Sequence, residues 1–197
     1  IMHTQENKHS RVNKKLAQVA QEKANLSFVD LYAEYPRYDI NVDLEQERLI
    51  NHDVIIFQHP LFWYSTPSLI KEWIDLVLEH GFAFGAGGDQ LTGKILMNAT
   101  STAGPKEAYT PKGYQHYPLR TFLTPIEQTA RLCHMKYSAP FVLYSALNAD
   151  ENVEIARHVE AYSKILDAII NDRYDFDAAI EADVICADSI SNYIGDF

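Results

Sequence analysis

The chain has 197 residues, of which 47% are hydrophobic, which is enough to form the core of one domain. Its formal net charge of -10 and its pI near 5.2 argue against a nucleic-acid partner and against binding to anionic lipid, since both need a basic surface. No apolar run reaches the roughly 18 residues that span a bilayer, and no signal peptide is visible, so the sequence predicts a cytoplasmic protein.

Strands and helices alternate along the chain, which predicts a single α/β domain over residues 1–197 with a parallel sheet covered by helices on both faces. We expect residues of the first strand to precede the numbered sequence. Further strands are predicted at residues 26–31, 54–58, 94–99 and 137–144. Helices are predicted at residues 10–23, 43–51, from 67 onward, 124–135 and 148–171, and residues 172–197 form a C-terminal extension that remains unassigned.

Three of the predicted helices carry N-terminal capping signals. Thr66 precedes a proline and is the predicted cap of the helix that follows. Thr124 with Glu127 has the pattern of a capping box, and Asn148 with Glu151 has the same pattern. Each signal predicts a hydrogen bond from a backbone amide to a side chain at the start of the helix.

The segment between the strand at 54–58 and the next helix contains an aromatic loop. Pro60, which we expect to end the strand, is followed by Leu61, Phe62, Trp63 and Tyr64. The loop follows a buried strand, so it lies at the carboxyl edge of the predicted sheet, where open α/β folds bind ligands. The aromatics predict a site for a flat, conjugated ligand, and the alternative is that they only pack against neighbouring loops.

Three short motifs in this region carry a resemblance to a known family. They are a P-x-x-W-aromatic loop at 60–64, a P-x-x-x-K-x-W sequence at 67–73 and an F-A-F sequence at 82–84. In these motifs the chain resembles the flavodoxin-fold NAD(P)H:quinone oxidoreductases, especially the bacterial branch with the ancillary proteins of glutathione-regulated potassium-efflux systems. The resemblance implies a flavodoxin-like three-layer α/β fold with a five-stranded parallel sheet of order 2-1-3-4-5.

The resemblance implies flavin-phosphate contacts at the start of the first helix. Ser10 and Asn13 stand where family members use a Ser or Thr followed by Asn. The free amides and the positive dipole end of a helix favour a phosphate there. Ser10 as a plain helix cap is the alternative, and His9 and Lys8 either add charge or are solvated.

The resemblance also implies that two further loops hold the flavin. The loop at 60–64 would contact the isoalloxazine through backbone groups and the Trp63 ring. The loop at 100–116 is longer than a usual βα turn. It begins with Ser101, Thr102, Ala103 and Gly104, where the family has T-T-G-G. Ala103 departs from this pattern, so a position that needed positive φ or close approach to the flavin would be strained by its Cβ.

Tyr109 and His116 resemble the family's Tyr and His that polarise the flavin edge or the bound quinone. A phenol and an imidazole can each donate a hydrogen bond where negative charge develops. The family's His lies a few residues beyond its Tyr, and His116 lies seven residues beyond Tyr109. For His116 the alternative is an exposed histidine without a catalytic role.

Phe82 and Phe84 resemble residues that in family members reach the flavin pocket of the partner subunit, which implies a homodimer with shared sites. The alternative is ordinary packing under the Gly-rich connection at 81–93.

These features predict a flavin-dependent NAD(P)H oxidoreductase that accepts hydride at flavin N5 and passes two electrons to a quinone or a similar flat acceptor. FMN is the expected cofactor because no separate adenine-binding segment is visible, with FAD as the alternative. NADH and NADPH both remain open as donors. No metal is expected, because the eight histidines are scattered rather than set at ligand spacing.

Two other functions remain open. One is a regulatory subunit that docks on a membrane potassium-efflux transporter, which would place the protein at the inner face of the membrane. The other is a flavodoxin-like electron carrier, although carriers do not need the F-A-F sequence or a long loop after the fourth strand. The two cysteines, Cys133 and Cys186, have no metal or redox spacing and are expected to be a buried structural thiol and a tail thiol.

Overall fold

The structure is a computed structural model that describes the backbone of residues 2–3 and the whole of residues 11–195. The strands are β1 (Met2–His3), β2 (Val29–Asp30), β3 (Val54–Pro60), β4 (Ile95–Ser101), β5 (Lys136–Tyr137) and β6 (Phe141–Leu143). The helices are α1 (Val12–Gln21), α2 (Leu31–Glu34), α3 (Val42–Ile50), α4 (Ser68–Val77), α5 (Leu119–Phe122), α6 (Thr124–Leu132), α7 (Ala156–Ile170) and α8 (Phe176–Glu181).

The strands form one sheet in the order β2-β1-β3-β4-β5, and the ladders between them are all parallel. This confirms the predicted order 2-1-3-4-5. The predicted fifth strand at 137–144 is present in two pieces, β5 and β6, which both pair with β4. Pro140 lies between the two pieces and has no N–H to donate to a ladder.

The strands β3 and β4 pair along seven residues, from Val54 with Ile95 to Pro60 with Ser101. Both strands are therefore longer than predicted, and Pro60 is the last residue of β3 rather than a residue beyond its end. The ladder tolerates Pro60 because the next amide, Leu61 N, donates to Ser101 O at 2.8 Å.

The second strand is shorter than predicted because a helix begins inside its predicted range. Asp30 caps α2, and its carboxylate accepts from Tyr32 N at 3.1 Å and from Ala33 N at 3.3 Å. The cap turns the chain out of the sheet after two paired residues.

Two apolar cores flank the sheet. One packs against α3, α4 and α6, and the other packs against α1 and α7. The amphipathic helix predicted after Pro67 is confirmed as α4, whose buried side chains are Leu69, Ile70, Trp73, Ile74 and Val77. This helix is the direct continuation of the aromatic loop, so its burial anchors one end of that loop.

A buried carboxylate fixes α4 to α3. Glu45 is 2% exposed and accepts hydrogen bonds from Tyr35 Oη at 2.7 Å and from Trp73 Nε1 at 2.9 Å. Burial and the nearby Glu45 raise the pKa of Tyr35, so its phenol stays a donor. The Arg48 guanidinium also pairs with Glu45, which leaves this buried charge compensated.

The predicted caps of α4 and α6 are wrong. Thr66 is buried, and α4 has no side-chain cap among the described residues. The helix α6 follows α5 directly and also begins without a side-chain cap in this part of the chain. Glu127 instead pairs with Arg120 at 3.1 Å and with Arg131 at 2.6 Å, because two cations are within its reach.

The start of the last long helix is displaced from its prediction. Asp150, not Asn148, is the cap, and its Oδ1 accepts from Asn152 N at 2.8 Å and from Val153 N at 3.0 Å. Glu154 Oε2 accepts from Asp150 N at 2.9 Å and completes a capping arrangement two residues further along. A π-helical turn at Glu151–Ile155 then leads into α7.

The unassigned C-terminal extension folds back onto the domain. Residues 172–195, named the C-terminal segment below, contain α8 and a 3-10 turn at Ile190–Asn192. Tyr174, Ala179 and Ile185 are buried within the core that also packs against α1 and α7. In the described ranges 2–3 and 11–195, no helix is both long and apolar enough to cross a membrane.

Candidate active site

The carboxyl ends of β3 and β4 bring the predicted loops together. The register places Pro60 beside Ser101, so the aromatic loop and the loop after β4 start from adjacent positions. Asn13, on the first turn of α1, joins them because its Nδ2 donates to Ser101 Oγ at 3.3 Å. Gln58 Nε2 donates to Asn13 O at 3.0 Å, which fastens α1 to β3 at the same edge.

Several polar atoms at this edge are buried and have no partner among the described residues. They are Asn13 Oδ1, Gln58 Oε1 and Thr100 Oγ1. Buried polar atoms are normally hydrogen-bonded, and unpaired ones point to a missing partner or a functional site. Ser10, His9 and Lys8, predicted to extend the phosphate site, lie outside the described residues.

The aromatic loop is a tight hairpin in a strained conformation. Phe62 and Ser65 exchange two backbone hydrogen bonds of 2.9 Å, and the two residues between them have φ of +48° for Trp63 and +63° for Tyr64. This is the pattern of a type I′ turn, which favours Asn and Gly. For a bulky side chain the left-handed conformation costs about 1–2 kcal/mol.

The turn exposes one aromatic ring and packs the other. Trp63 is 90% exposed, whereas Tyr64 is 51% exposed and lies 5.1 Å from the ring of Phe122. Packing against neighbouring loops therefore accounts for Tyr64 and not for Trp63. A large apolar ring held in solvent by a strained turn suits a ligand-binding role.

The loop after β4 contributes a buried tyrosine. Tyr109 is 8% exposed, and its ring centroid lies 6.0 Å from that of Phe122 and 5.7 Å from that of Tyr144. Phe122 also contacts Tyr117 at 6.1 Å. We call this group the aromatic wall, and its members are Tyr64, Tyr109, Tyr117, Phe122 and Tyr144. Burial raises the pKa of the Tyr109 phenol, so it stays protonated at neutral pH.

Gly104 packs closely against two tyrosine side chains of this loop. A Cβ at Gly104 would lie 2.8 Å from Tyr114 Oη and 3.2 Å from Tyr109 Cε2. Thr102 fixes the turn before it, because its Oγ1 donates to Gly104 O at 2.9 Å. Ala103 is exposed and its φ is not in the left-handed region, so its Cβ adds no backbone strain.

The other predicted side chains take different positions. His116 is exposed, has a φ of +63°, and has no side-chain hydrogen bond or ring contact with the described residues. Phe82 and Phe84 are partly buried and pack on the core beside α4. His80 meets Phe84 edge-on at 5.7 Å. Within the single chain, Phe82 and Phe84 therefore show ordinary packing, and a contact with a partner subunit stays a prediction.

A polar chain beneath the aromatic loop was not singled out in the sequence. His59 is fully buried, and its Nδ1 lies 3.0 Å from Pro60 O, a carbonyl that can only accept, so Nδ1 carries the proton. His59 Nε2 then accepts from Asn98 Nδ2 at 2.9 Å, and Asn98 Oδ1 accepts from Tyr137 Oη at 2.8 Å. Asn98, a polar residue inside the apolar run of β4, is the feature of the sequence that could have indicated this buried polar chain.

A six-stranded parallel sheet of this order, with an aromatic loop at its carboxyl edge, defines an α/β protein of the flavodoxin type. A family model described as the flavodoxin-like fold matches residues 1–166, and the chain belongs to this family.

Relatives and solved structures agree with this assignment. The glutathione-regulated potassium-efflux system ancillary protein KefG of Yersinia enterocolitica is 42% identical over 161 residues, which cover 82% of this chain and 87% of that protein. General stress protein 14 of Treponema denticola, solved in complex with FMN, is 30% identical with a TM-score of 0.79, covering 85% and 97% of the two chains. An NADPH-quinone reductase of P. pentosaceus is 26% identical with a TM-score of 0.73, covering 83% and 93%.

The environment of His59 leads to a prediction about acid stability. Burial lowers the pKa of His59 to about 4, whereas an unfolded histidine titrates near 6.5. The unfolded chain therefore binds more protons than the folded one as the pH falls from 6.5 to 4, and stability is lost across this window. Between pH 7 and 4.5, the variant His59→Gln should lose about 2.5 kcal/mol less unfolding free energy than the wild type.

Urea denaturation at both pH values measures this difference. The exposed His134 provides the control, and His134→Asn should show the same loss as the wild type. An equal loss in His59→Gln and the wild type would mean that His59 titrates normally.

Proposed function

We propose that the protein is a flavin-dependent NAD(P)H oxidoreductase that binds FMN, with FAD as the alternative, and reduces quinones or similar flat acceptors by two electrons. The observation that carries the proposal is the strained turn that holds Trp63 in solvent at the carboxyl edge of the sheet. The FMN complex of a 30% identical protein and the quinone-reductase name of another support it.

The residues at this edge fit a flavin. The first turn of α1 offers the positive end of a helix dipole for a phosphate, and Ser10 is proposed to add its hydroxyl there. The backbone amides of Trp63, Tyr64, Ala103 and Gly104 donate to none of the described residues. These donors from two adjacent loops match the polar edge of an isoalloxazine, and the Trp63 ring matches its flat face.

The cofactor, when bound, supplies the hydride chemistry, and the chain supplies orientation and proton donors. Tyr109 is held by the aromatic wall as a protonated phenol, suited to donate to an oxygen that gains negative charge. We propose His116 as a second donor that approaches only when substrate is bound. The wall offers flat contacts for an acceptor ring.

We also propose that the active form is a homodimer in which Phe82 and Phe84 line the partner's pocket. Both rings pack on the α4 core while remaining partly exposed, so a rigid edge is presented to a neighbouring subunit. The surrounding connection is tightly built, since a Cβ at Gly88 would lie 2.1 Å from Phe84 O. A pre-formed edge loses little conformational entropy on association.

A second function is favoured by the name of the 42% identical relative, an ancillary protein of a potassium-efflux system. The chain would then dock on a membrane antiporter from the cytoplasmic side, with the flavin serving stability or sensing. The two functions are compatible. An antiporter gene beside the gene for this chain would favour the regulatory role.

Two substitutions at Trp63 test the flavin site. Trp63→Ala and Trp63→Gly should both weaken FMN binding by about tenfold, because each removes the stacking ring. The glycine variant should be more stable than the alanine variant by about 1 kcal/mol, because only glycine adopts the left-handed φ without strain. Flavin titration and urea denaturation measure the two effects.

The exposed Leu132 on α6 is a control for loss of surface apolar area, and Leu132→Ala should leave FMN affinity unchanged. If the folded wild type bound neither FMN nor FAD, the proposed function would be refuted. Equal FMN affinities for the wild type and both variants would mean that the Trp63 ring does not contact the flavin, while the rest of the proposed site would stand.

Substitution of Tyr109 tests the proton donor. Tyr109→Phe should lower kcat with a quinone acceptor by at least about tenfold, since a donor aimed at developing charge stabilises the transition state. The Kd for FMN should change far less. Tyr193→Phe, in the C-terminal segment, is the matched control and should keep full turnover. Unchanged turnover in Tyr109→Phe would exclude the phenol from the reaction.

An active site shared between two subunits predicts the mass of a dimer and a loss of activity in a Phe84 variant. Light scattering should give about twice the chain mass of 22.5 kDa. Phe84→Ala should impair quinone reduction while each subunit still folds and binds FMN. A fully active monomer would refute the shared site and leave Phe84 with a packing role.

A further inference from the structure

The C-terminal segment lies outside the residues that match the family, which end at 166. It nevertheless extends the sheet. Ile185 N donates to Pro140 O at 2.9 Å, Val142 N donates to Ile185 O at 2.8 Å, and Ile185 is fully buried. The segment thus pairs with β6 on the side away from β4, where an edge would otherwise be open.

One arginine connects this segment to the aromatic wall. The Arg120 guanidinium on α5 donates to Ala182 O and to Asp183 O, the latter at 3.5 Å. Its Nε donates to Glu127 Oε2 at 3.1 Å, and its Cζ lies 5.6 Å from the centroid of the Tyr137 ring. A planar group with several donors can satisfy these partners together, which a lysine could not.

The same short helix carries the central ring of the wall. Phe122, two residues after Arg120, contacts Tyr64 at 5.1 Å and Tyr109 at 6.0 Å. A four-residue helix has no stability of its own, so its position depends on the contacts that hold it. Arg120 provides such a contact from the C-terminal segment.

A second contact reaches the wall directly. Val184 packs, together with Phe122 and Tyr144, on the small apolar cluster that includes Tyr109 and Leu119. It lies between Asp183, whose carbonyl accepts from Arg120, and Ile185, which is paired to the sheet. The pairing at the sheet edge therefore fixes both contacts with the wall.

We propose that Arg120 and Val184 are positioning residues through which the C-terminal segment holds the aromatic wall, and Tyr109 with it, in place. The positional part stands on the contacts alone, while its consequence for turnover rests on the proposed function. A role limited to general stability is the alternative, and it would affect the whole domain rather than the loop after β4.

Full-length variants test the proposal by hydrogen exchange without any cofactor. Arg120→Met and Val184→Ala should each accelerate backbone exchange in residues 105–122 by roughly tenfold, because the local opening becomes easier, and leave α3 and α4 unchanged. Arg131→Met also breaks a pair with Glu127, and among the described residues Arg131 has no hydrogen bond or ion pair with the C-terminal segment. Ile190→Ala removes side-chain packing in the segment away from the wall. Both controls should keep the exchange rate of residues 105–122 within about twofold of the wild type.

The kinetic readout then separates positioning from stability. If the proposed function holds, Arg120→Met and Val184→Ala should lower kcat with a quinone acceptor by about tenfold and change the Kd for FMN by less than about twofold. Exchange of residues 105–122 at the wild-type rate in Val184→Ala, or a uniform acceleration over the whole chain, would overturn the proposal. If the protein binds no flavin, the hydrogen-exchange result alone decides whether Arg120 and Val184 position the aromatic wall.

Discussion

The rest of the site depends on the register between β3 and β4. Seven consecutive pairs end with Pro60 opposite Ser101, and both loops of the candidate site begin there. A slip of one residue would turn every side chain of β3 to the other face of the sheet. Gln58 would then lose Asn13, and His59 would lose Asn98. The two polar residues therefore tie the site to one register.

These two residues connect the end of β3 to α1 and to the neighbouring strand β4. Gln58 points to the α1 layer and donates to the backbone of Asn13, whereas His59 points to the opposite face and accepts from Asn98. A buried polar group left unpaired costs about 1–3 kcal/mol, so displacement of α1 from β3, or of β3 from β4, is opposed at this point. The aromatic loop starts from this doubly fixed position.

Apolar periodicity was sufficient to predict the long helices, because it reports which face is buried, whereas the strand order came from the family resemblance. The sequence failed to predict the helix caps, because the expected capping side chains found other partners. Glu127 was available to cap α6 but pairs with Arg120 and Arg131. The aromatic wall could not be predicted from the sequence, because its rings come from four separate segments that only the fold brings together.

The backbone of the connection after α4 shows why the strain at Trp63 is informative. Four positive-φ positions there, at residues 81, 85, 87 and 93, are occupied by glycine, which adopts that conformation without strain. At the aromatic loop the chain places tryptophan and tyrosine in the same conformation. Tyr64 recovers part of the cost by packing on Phe122, but Trp63 is 90% exposed and gains little burial. The strained turn is held by the two backbone hydrogen bonds between Phe62 and Ser65, and the rest of the fold supplies the stabilisation that offsets its strain.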